Sequence, residues 1–241
     1  MPAYCLPAHS HTISYKGKPI PIKLAVVLPD IDGTLIDSND AHARAYMEAF
    51  RAHGVEVNSV DLRKATGMDG DNLFPIVAHR EEDSPDGKAI SKTRSELFKQ
   101  KYQPTLRAFP QVKELLMRLR QDGIKLVVAT SAKPEEAKAF LELTGAADLI
   151  DTIATTEDAE NSKPAPDIIQ AALKKTGLET ASVVMLGDTP CDVEAAKKAG
   201  IGTIGVCCGG WAAPDLKGAL AICDDPADLL AHYAEPPLAG N

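Results

Sequence analysis

Two aspartates, Asp30 and Asp32, stand one residue apart directly after the short apolar run 25–28. In an extended segment, side chains two positions apart point to the same side, so this pair could share one cavity. One carboxylate could then act as a nucleophile and the other as a general acid and base. Two such charges need a cation or a shared proton close by. Aspartate and glycine also form turns, so D-x-D-G-T alone could mark a turn.

A third carboxylate, Asp188, follows another apolar segment, and Asp192 stands four residues further on. Carboxylates with water suit Mg²⁺, which proteins usually bind together with substrate phosphate oxygens. The pair Asp30 and Asp188 could therefore supply oxygen ligands from two strand ends. Thr189 followed by Pro190 is also a plausible helix start, so this second motif is weak by itself.

Two further polar positions could face an anion. Thr130 and Ser131 end a third apolar segment and precede a helix, so their hydroxyl and amide groups could bind phosphate, although ordinary helix capping is an alternative. Lys163 lies between a loop and the next helix, where Pro164 and Pro166 stiffen the backbone. A lone lysine is more often a solvated surface charge.

These polar residues follow apolar segments that alternate with amphipathic helices ended by glycine. Strands are expected over 124–130, 182–188, 202–208 and 219–224, besides the run before Asp30. Nearly continuous apolar strands alternating with helices predict an α/β fold with a Rossmann-like, doubly wound parallel sheet. Such sheets bind ligands beyond the carboxyl ends of their strands, where each of the polar clusters falls.

Residues 38–105 interrupt this alternation. Helical spacing of apolar residues over 41–54 is followed by helical stretches around 70–82 and 87–103, with no strand pattern between them. We therefore predict an inserted α-helical cap domain at 38–105, with hinges near 37–40 and 104–108. The α/β core domain would comprise 22–37 and 106–241. An N-terminal extension at 1–21 could form a loose hairpin or stay disordered.

Composition restricts the partners and the compartment. The formal net charge of −8 argues against a nucleic-acid partner. No apolar run reaches the roughly 18 residues of a membrane span, and the N-terminus lacks the pattern of a signal peptide. Five cysteines without C-x-x-C spacing indicate reduced thiols rather than a disulfide framework or a zinc site. We expect a cytoplasmic protein, either a monomer or a homodimer.

Taken in order, DIDGTL, Thr130-Ser131, Lys163-Pro164 and GDTPCD resemble the motifs of the haloacid dehalogenase superfamily of phosphohydrolases. The resemblance covers the chain from about Leu24 to Tyr233. The inserted cap is similar to that of the helical-cap subclass, which includes phosphoglycolate phosphatase and β-phosphoglucomutase. The resemblance implies a Mg²⁺-dependent phosphatase that hydrolyses a small phosphorylated metabolite, phosphoglycolate- or sugar-phosphate-like, through an aspartyl-phosphate.

The resemblance also implies a role for each catalytic residue. Asp30 would attack phosphorus, and Asp32 would protonate the leaving oxygen and later deprotonate the attacking water. Thr130 would hydrogen-bond the transferring phosphoryl group, and Lys163 would offset negative charge. Phosphoryl transfer depends mostly on positioning and charge neutralisation, which agrees with these roles.

The metal and substrate ligands follow from the same resemblance. Mg²⁺ would be held by Asp30, the backbone carbonyl of Asp32, Asp188 and Asp192, the last directly or through water. The candidate residues for binding phosphate or the rest of the substrate are Gly33, Thr34, Ser131 and His42.

Other branches of the superfamily are weighed by single residues. The dehalogenase and phosphonoacetaldehyde branches lack an acid at the position of Asp32, and this argues against both, although Lys64 could serve as the cap lysine of the latter. A mutase of the β-phosphoglucomutase type remains an alternative, because His42 stands twelve residues after Asp30 as in that branch. A polar residue on the first cap helix explains His42 equally simply. A catalytically inactive relative would have lost a motif residue, and none is lost.

Two features leave the function open. The segment 66–69 would be a substrate-facing loop by resemblance, but a turn between helices would explain it equally well. Pro29 stands where the family usually carries a large apolar residue, and proline removes a possible donor from a central strand. We expect it to be tolerated, because the strand ends there and the fixed φ angle can stiffen the turn.

Overall fold

A computed structural model describes residues 11–15, 18–66, 70–177 and 179–233. The strands are β1 (His11–Tyr15), β2 (Lys18–Leu24), β3 (Val26–Pro29), β4 (Lys125–Ala129), β5 (Thr152–Ala154), β6 (Val183–Gly187), β7 (Gly202–Val206) and β8 (Ala221–Cys223). The α-helices are α1 (Asn39–Ala52), α2 (Ser59–Ala65), α3 (Gly70–Ala78), α4 (Pro85–Leu97), α5 (Val112–Gln121), α6 (Pro134–Thr144), α7 (Asp167–Thr176), α8 (Pro190–Lys198) and α9 (Pro226–His232).

Six strands form one parallel sheet in the order β5-β4-β3-β6-β7-β8. The chain begins the sheet at β3, extends it to one side with β4 and β5, and then extends the other side with β6, β7 and β8. The strand order therefore reverses beside β3, and a crevice opens at the carboxyl end of that strand. The predicted α/β fold with a doubly wound parallel sheet is confirmed.

Helices cover both faces of the sheet. Val27 faces a core that includes Leu116 of α5 and Phe140 of α6, whereas Leu28 faces Ile169 of α7. Neighbouring residues of β3 point to opposite faces because a strand has a period of two. Both faces are thus closed to water, and the carboxyl edge is left for polar side chains.

Short elements account for the differences from the sequence-based prediction. Strand β5 and helices α2 and α9 have three, seven and seven residues, too few to show a clear period, and the prediction did not include them. Helix α3 ends at Ala78 rather than near residue 82, because His79 adopts a positive φ of 51° that an α-helix cannot contain.

An antiparallel hairpin precedes the sheet. Strands β1 and β2 pair from His11↔Leu24 to Tyr15↔Lys18, and β3 follows β2 after one residue. This agrees with the hairpin alternative for the predicted extension, whose residues 1–10, 16 and 17 lie outside the described part. The predicted boundary between residues 21 and 22 falls inside β2.

The cap helices α1 to α4 have an apolar core of their own. Phe50, Leu62, Phe74 and Ile90 are fully buried in it. Helix α4 continues into a π-helical turn and a 3₁₀ turn that end at residue 105.

The two connections between the cap and the core run side by side. The amide of Asp37 donates to the carbonyl of Arg107 at 3.0 Å, and the amide of Phe109 donates to the carbonyl of Leu35 at 3.0 Å. The two segments predicted as hinges are therefore hydrogen-bonded to each other. The exact domain boundaries stay a prediction.

Two sequence-based expectations concern membranes and cysteines. Within the described residues, no helix combines the length and the apolar character that crossing a bilayer requires. Among the described residues, no disulfide bond joins any two of Cys191, Cys207, Cys208 and Cys223, and Cys5 lies outside them.

Candidate active site

Pro29 ends β3 without breaking its pairing with β6. Pro29 is in register with Leu186, and the amide of Asp30 donates to the Leu186 carbonyl at 2.9 Å. Because successive amides of a strand point to opposite sides, the position that lacks an N–H at Pro29 faces β4. In the described register, pairing with β4 ends at Val27. Proline thus stands at a point where the sheet does not use its donor.

The segment after Asp30 is a tight turn rather than an extended strand. The carbonyl of Ile31 accepts hydrogen bonds from Leu35 at 2.8 Å and from Ile36 at 2.9 Å. Gly33 has a φ of +70°, a conformation that favours glycine. The expectation of an extended D-x-D segment is therefore wrong. Asp30 and Asp32 nevertheless line the same cavity.

Lys163 links Asp30 to Asp192. Its Nζ atom lies 2.7 Å from Oδ2 of Asp30 and 2.7 Å from Oδ1 of Asp192, and the residue is only 2% exposed. Oδ2 of Asp192 accepts hydrogen bonds from the amide and hydroxyl of Thr189, which caps α8. The lysine is therefore buried between two carboxylates and is not a solvated surface charge.

Asp188 is held from both parts of the molecule. Its Oδ1 accepts a hydrogen bond from the Thr34 hydroxyl at 3.0 Å, and its Oδ2 accepts one from Nδ2 of Asn39, the first residue of α1, at 2.9 Å. Gly33 and Gly209 pack against this carboxylate so closely that a Cβ atom at either position would overlap it. The cap therefore contributes directly to the position of an acid in the core.

The oxygen atoms of Asp30, Asp188 and Asp192 lie within 4.8 Å of one another, in buried surroundings. Burial raises the pKa of Asp30 to about 7, although Lys163 limits the rise. Burial, together with repulsion from Asp192 and Asp30, raises the pKa of Asp188 well above its ordinary value. Burial disfavours the Lys163 ammonium, but the two neighbouring carboxylates outweigh it and raise the pKa of Lys163.

This donor set fits a divalent cation. When all three carboxyl groups are ionised, one ammonium group leaves two negative charges uncompensated in a buried volume, and this repulsion contributes to the raised pKa values of Asp30 and Asp188. Oxygen donors of this kind are those that Mg²⁺ prefers. All three carboxylates already accept hydrogen bonds at both oxygens. Asp192 accepts them from Lys163 and Thr189, Asp188 from Thr34 and Asn39, and Asp30 from Lys163 and the amide of Ile31.

Asp32 belongs to a separate hydrogen-bonded group. Its Oδ1 accepts hydrogen bonds from the Ser38 hydroxyl at 2.5 Å and from Nε2 of His42 at 2.9 Å. Arg94 donates to Nδ1 of His42, and a guanidinium has only donors, so the proton of the imidazole must lie on Nε2. Burial raises the pKa of Asp32, but His42 and Ser38 outweigh it and hold that pKa below its ordinary value.

Aromatic contacts fix the two basic side chains. The His42 ring stacks on Phe98 with the ring centres 4.1 Å apart, and the Arg94 guanidinium lies 4.7 Å from the centre of the Tyr46 ring. Ser38 occupies the N-cap position of α1, but its hydroxyl does not cap the helix. The Ser38 hydroxyl at the start of α1 therefore binds Asp32 instead of capping the helix.

A cavity of about 440 Å³ lies between the cap and the core. Its core side includes Asp30, Asp32, Ser131, Lys133, Glu136 and Thr156. Its cap side includes His42, Tyr46, Thr66, Ser91, Arg94 and Ser95. A small molecule in this volume would touch both Asp30 and Asp32.

Some residues predicted to bind phosphate lie behind the cavity wall. Thr34 uses its hydroxyl for Asp188, and the Gly33 carbonyl accepts a contact from the Cys208 thiol at 3.4 Å. Thr130 is fully buried and its hydroxyl oxygen accepts the amide of Ala132 at 3.2 Å. Ser131 is the member of this predicted set, besides His42, that lines the cavity.

Only Thr66 of the predicted substrate-facing segment 66–69 lies within the described residues. Thr66 is buried, lines the cavity and donates its hydroxyl to the Leu62 carbonyl at 2.9 Å. Residues 67–69 lie outside the described residues, so their expected role in binding substrate stays a prediction.

Four site residues were missed by the sequence analysis. Ser38 and Asn39 have the residue types of an ordinary helix start, and nothing in their spacing indicated contacts with Asp32 and Asp188. Arg94 and Glu136 have charges typical of solvent-exposed helix positions. The placement of the cap over the sheet brings Ser38, Asn39 and Arg94 to the site, whereas Glu136 reaches the cavity from the first turn of the core helix α6.

Comparisons with known proteins agree with this geometry. The family model described as haloacid dehalogenase-like hydrolase matches residues 27–206. Validoxylamine A 7'-phosphate phosphatase of Streptomyces hygroscopicus is 31% identical over 185 residues, which cover 75% of this chain and 84% of that protein. Phosphoglycolate phosphatase of Yersinia pseudotuberculosis is 29% identical over 211 residues, which cover 86% and 88%.

A solved structure extends the similarity to the fold. The crystal structure of a hydrolase from Pseudomonas syringae superimposes with a TM-score of 0.79 at 29% identity. The match covers 86% of this chain and 97% of that one.

Proposed function

Because the chain belongs to the haloacid dehalogenase-like hydrolase family, we propose that it hydrolyses a phosphoglycolate- or sugar-phosphate-like ester with Mg²⁺, through an aspartyl-phosphate on Asp30. Its relatives are phosphatases, and the chain is a phosphoric monoester hydrolase that acts on small phosphorylated molecules. The proposal includes a cytoplasmic location, a monomer or homodimer, and no nucleic-acid partner, in keeping with the net charge of −8.

The observation that carries the proposal is the position of Asp30. Its carboxylate faces the cavity and also contacts Lys163 at 2.7 Å, beside the buried carboxylates Asp188 and Asp192. In the proposed first step, an Asp30 oxygen attacks phosphorus and the bond to the leaving oxygen breaks. Lys163 stays next to the nucleophile and offsets negative charge throughout.

Asp32 would donate the proton in the first step and accept one in the second. Ser38 and His42 both donate to Oδ1, and no described residue donates to Oδ2. Oδ2 can therefore carry a proton to the leaving oxygen and afterwards accept one from the water that attacks the aspartyl-phosphate. Thr130 would donate its hydroxyl proton to the transferring phosphoryl group, which requires that this fully buried side chain become accessible from the cavity.

Mg²⁺ would be held by Asp30, Asp188, the backbone carbonyl of Asp32 and, directly or through water, Asp192. When bound, it would supply charge neutralisation to the phosphoryl oxygens. The two uncompensated charges of the buried carboxylates support this site.

Hydrolysis of phosphoglycolate and of sugar phosphates, measured with Mg²⁺ and with a chelator, tests the proposal. We expect hydrolysis with Mg²⁺ and none in the chelator. The catalytic activity should fall by at least about 1,000-fold in Asp30→Asn. Asp37→Asn, an exposed aspartate in the connection to the cap, is the matched control and should keep its activity. Full activity in the chelator, or in Asp30→Asn, would contradict the proposal.

A mutase of the β-phosphoglucomutase type is the second candidate, and the contact between His42 and Asp32 is the observation that favours it. Incubation with β-glucose 1-phosphate separates the two. Release of inorganic phosphate supports the phosphatase, whereas accumulation of glucose 6-phosphate would establish the mutase.

A further inference from the structure

Glu136, in the first turns of α6, carries a carboxyl group that faces the cavity without a partner. The residue is half-buried and lines the same wall as Asp32. Among the described residues, no group donates a hydrogen bond to this carboxylate and no basic group pairs with it at salt-bridge distance. A carboxylate removed from water in this way gains from a donor that arrives with a ligand.

The charges around Glu136 show which part of a substrate it would meet. Burial and the charge of Asp32 raise the pKa of Glu136, whereas His42, Arg94 and Lys133 oppose the rise. Glu136 lines the same cavity as Asp32, the residue that would protonate the leaving oxygen. Arg94 is already held by His42 and Tyr46. It is thus the leaving group, rather than the phosphoryl group, that would contact Glu136.

The rest of the wall combines hydroxyl groups with the charged side chains of Glu82, Lys92 and Lys133. Six hydroxyl side chains line the cavity, namely Tyr46, Thr66, Ser91, Ser95, Ser131 and Thr156. A volume of about 440 Å³ falls within the range of sites for small molecules. Hydroxyl groups can both donate and accept, so this lining matches a ligand that carries several hydroxyls.

We propose that Glu136 accepts a hydrogen bond from a hydroxyl of the leaving group and thereby selects hydroxylated phosphate esters over carboxylated ones. This inference rests on the proposed phosphatase function. A leaving group with hydroxyls satisfies the carboxylate, whereas one that ends in a carboxylate meets a like charge. A leaving group without donors leaves a desolvated carboxylate unpaired.

Three substrates separate these cases with the wild-type protein alone. Glucose 6-phosphate carries several hydroxyls, phosphoglycolate carries a carboxylate, and p-nitrophenyl phosphate carries neither. We expect kcat/KM for glucose 6-phosphate to exceed that for phosphoglycolate by about 10-fold or more. A preference for phosphoglycolate would overturn the inference.

Variants then assign the preference to Glu136. In Glu136→Ala, the ratio of kcat/KM for glucose 6-phosphate to that for p-nitrophenyl phosphate should fall by about 10- to 100-fold. The ratio of glucose 6-phosphate to phosphoglycolate should fall in both Glu136→Ala and Glu136→Gln, because both remove the like charge. The exposed neighbour Glu135 supplies the matched control, and Glu135→Gln should leave both ratios unchanged.

The possible failures are distinguishable. If the wild type hydrolyses none of the three esters with Mg²⁺, the proposed function and this inference fall together. If it hydrolyses them, and the Glu136 variants change all three rates by the same factor or not at all, the inference alone is overturned. A melting temperature for each variant shows whether a common factor reflects a loss of folded protein.

Discussion

Nε2 of His42 lies 2.9 Å from Oδ1 of Asp32, and the two residues come from different parts of the molecule. Asp32 stands on the turn after β3 in the core, whereas His42 stands in the first turns of cap helix α1. Arg94 of α4 holds the other nitrogen of the imidazole. Asp32, the proposed acid–base residue, is therefore oriented by the cap, so its geometry depends on how the cap lies over the core.

Replacement of His42 by alanine tests this relationship. His42→Ala should lower kcat/KM by about 10- to 100-fold, because one of the two donors that orient Asp32 is lost. It should also move the acidic limb of the pH–rate profile to higher pH, since His42 helps to hold the pKa of Asp32 down. The control is His53→Ala, which removes an exposed contact with Thr93. An equal change in both variants, or an unmoved limb, would count against the relationship.

Gly209 tests the placement of Asp188. A Cβ atom at Gly209 would lie 1.7 Å from Oδ2 of Asp188, so Gly209→Ala must displace that carboxylate. We expect kcat/KM to fall by about 100-fold and the concentration of Mg²⁺ needed for half-maximal activity to rise. In Gly205→Ala, the nearest atom to the new Cβ would be the end of the Leu216 side chain at 3.0 Å, with Cβ of Leu216 and of Ala219 in ordinary contact at 3.5 and 3.6 Å, and activity should be kept. Normal Mg²⁺ dependence in Gly209→Ala would refute the placement.

The acidic cluster predicts how stability depends on pH and Mg²⁺. Asp30 has a pKa raised to about 7 and that of Asp188 is raised well above its ordinary value. A carboxyl group whose pKa is higher in the folded state contributes stability that is present below its unfolded value of about 4 and lost as pH rises through its folded value. The melting temperature in a chelator should therefore fall for this reason as pH rises toward neutrality.

Mg²⁺ competes with the protons on these carboxyls, so its stabilising effect should grow over the same interval. Thermal melts with Mg²⁺ and with a chelator, at about pH 5 and about pH 8, measure the difference. Asp188→Asn should remove most of the stabilisation by Mg²⁺. A Mg²⁺ effect that shrinks as pH rises would contradict the site.

Pro29 should prove nearly neutral. Its missing amide hydrogen faces the β4 side, where the described pairing ends at Val27, and its register with Leu186 is intact. We expect Pro29→Val to change kcat/KM by less than about 3-fold and the unfolding free energy by less than about 1.5 kcal/mol. A many-fold faster variant of unchanged stability would show instead that the proline impairs the site.

The core of the candidate site could be predicted from the sequence because one rule governs it. Asp30 and Asp188 follow strands of a parallel sheet, and such strands end at one edge regardless of the details of packing. Lys163 precedes helix α7, which packs against the same sheet. The order of the motifs therefore sufficed to bring these charges together, and the structure adds their distances.

The cap could not be predicted in the same way. Ser38, Asn39 and Arg94 meet the core only through the angle at which the cap helices pack over it, and a single sequence carries no local signal for that angle. Glu136 differs, because it lies in the first turn of α6, directly after the carboxyl end of β4. The turn at 31–36 was mistaken for an extended segment because D-x-D-G-T fits both backbones. The turn is accompanied by tertiary contacts that the motif alone does not show, such as the hydrogen bond from Thr34 to Asp188.

The covalent step on Asp30 is the central claim, and rapid acid quenching tests it most directly. The protein is mixed with excess substrate and Mg²⁺, quenched within the first turnover, digested and analysed by mass spectrometry. We expect the added mass of one phosphoryl group on the peptide that contains Asp30, and no such peptide from Asp30→Asn. A phosphoryl group on another residue such as His42, or turnover without any covalent adduct, would contradict it.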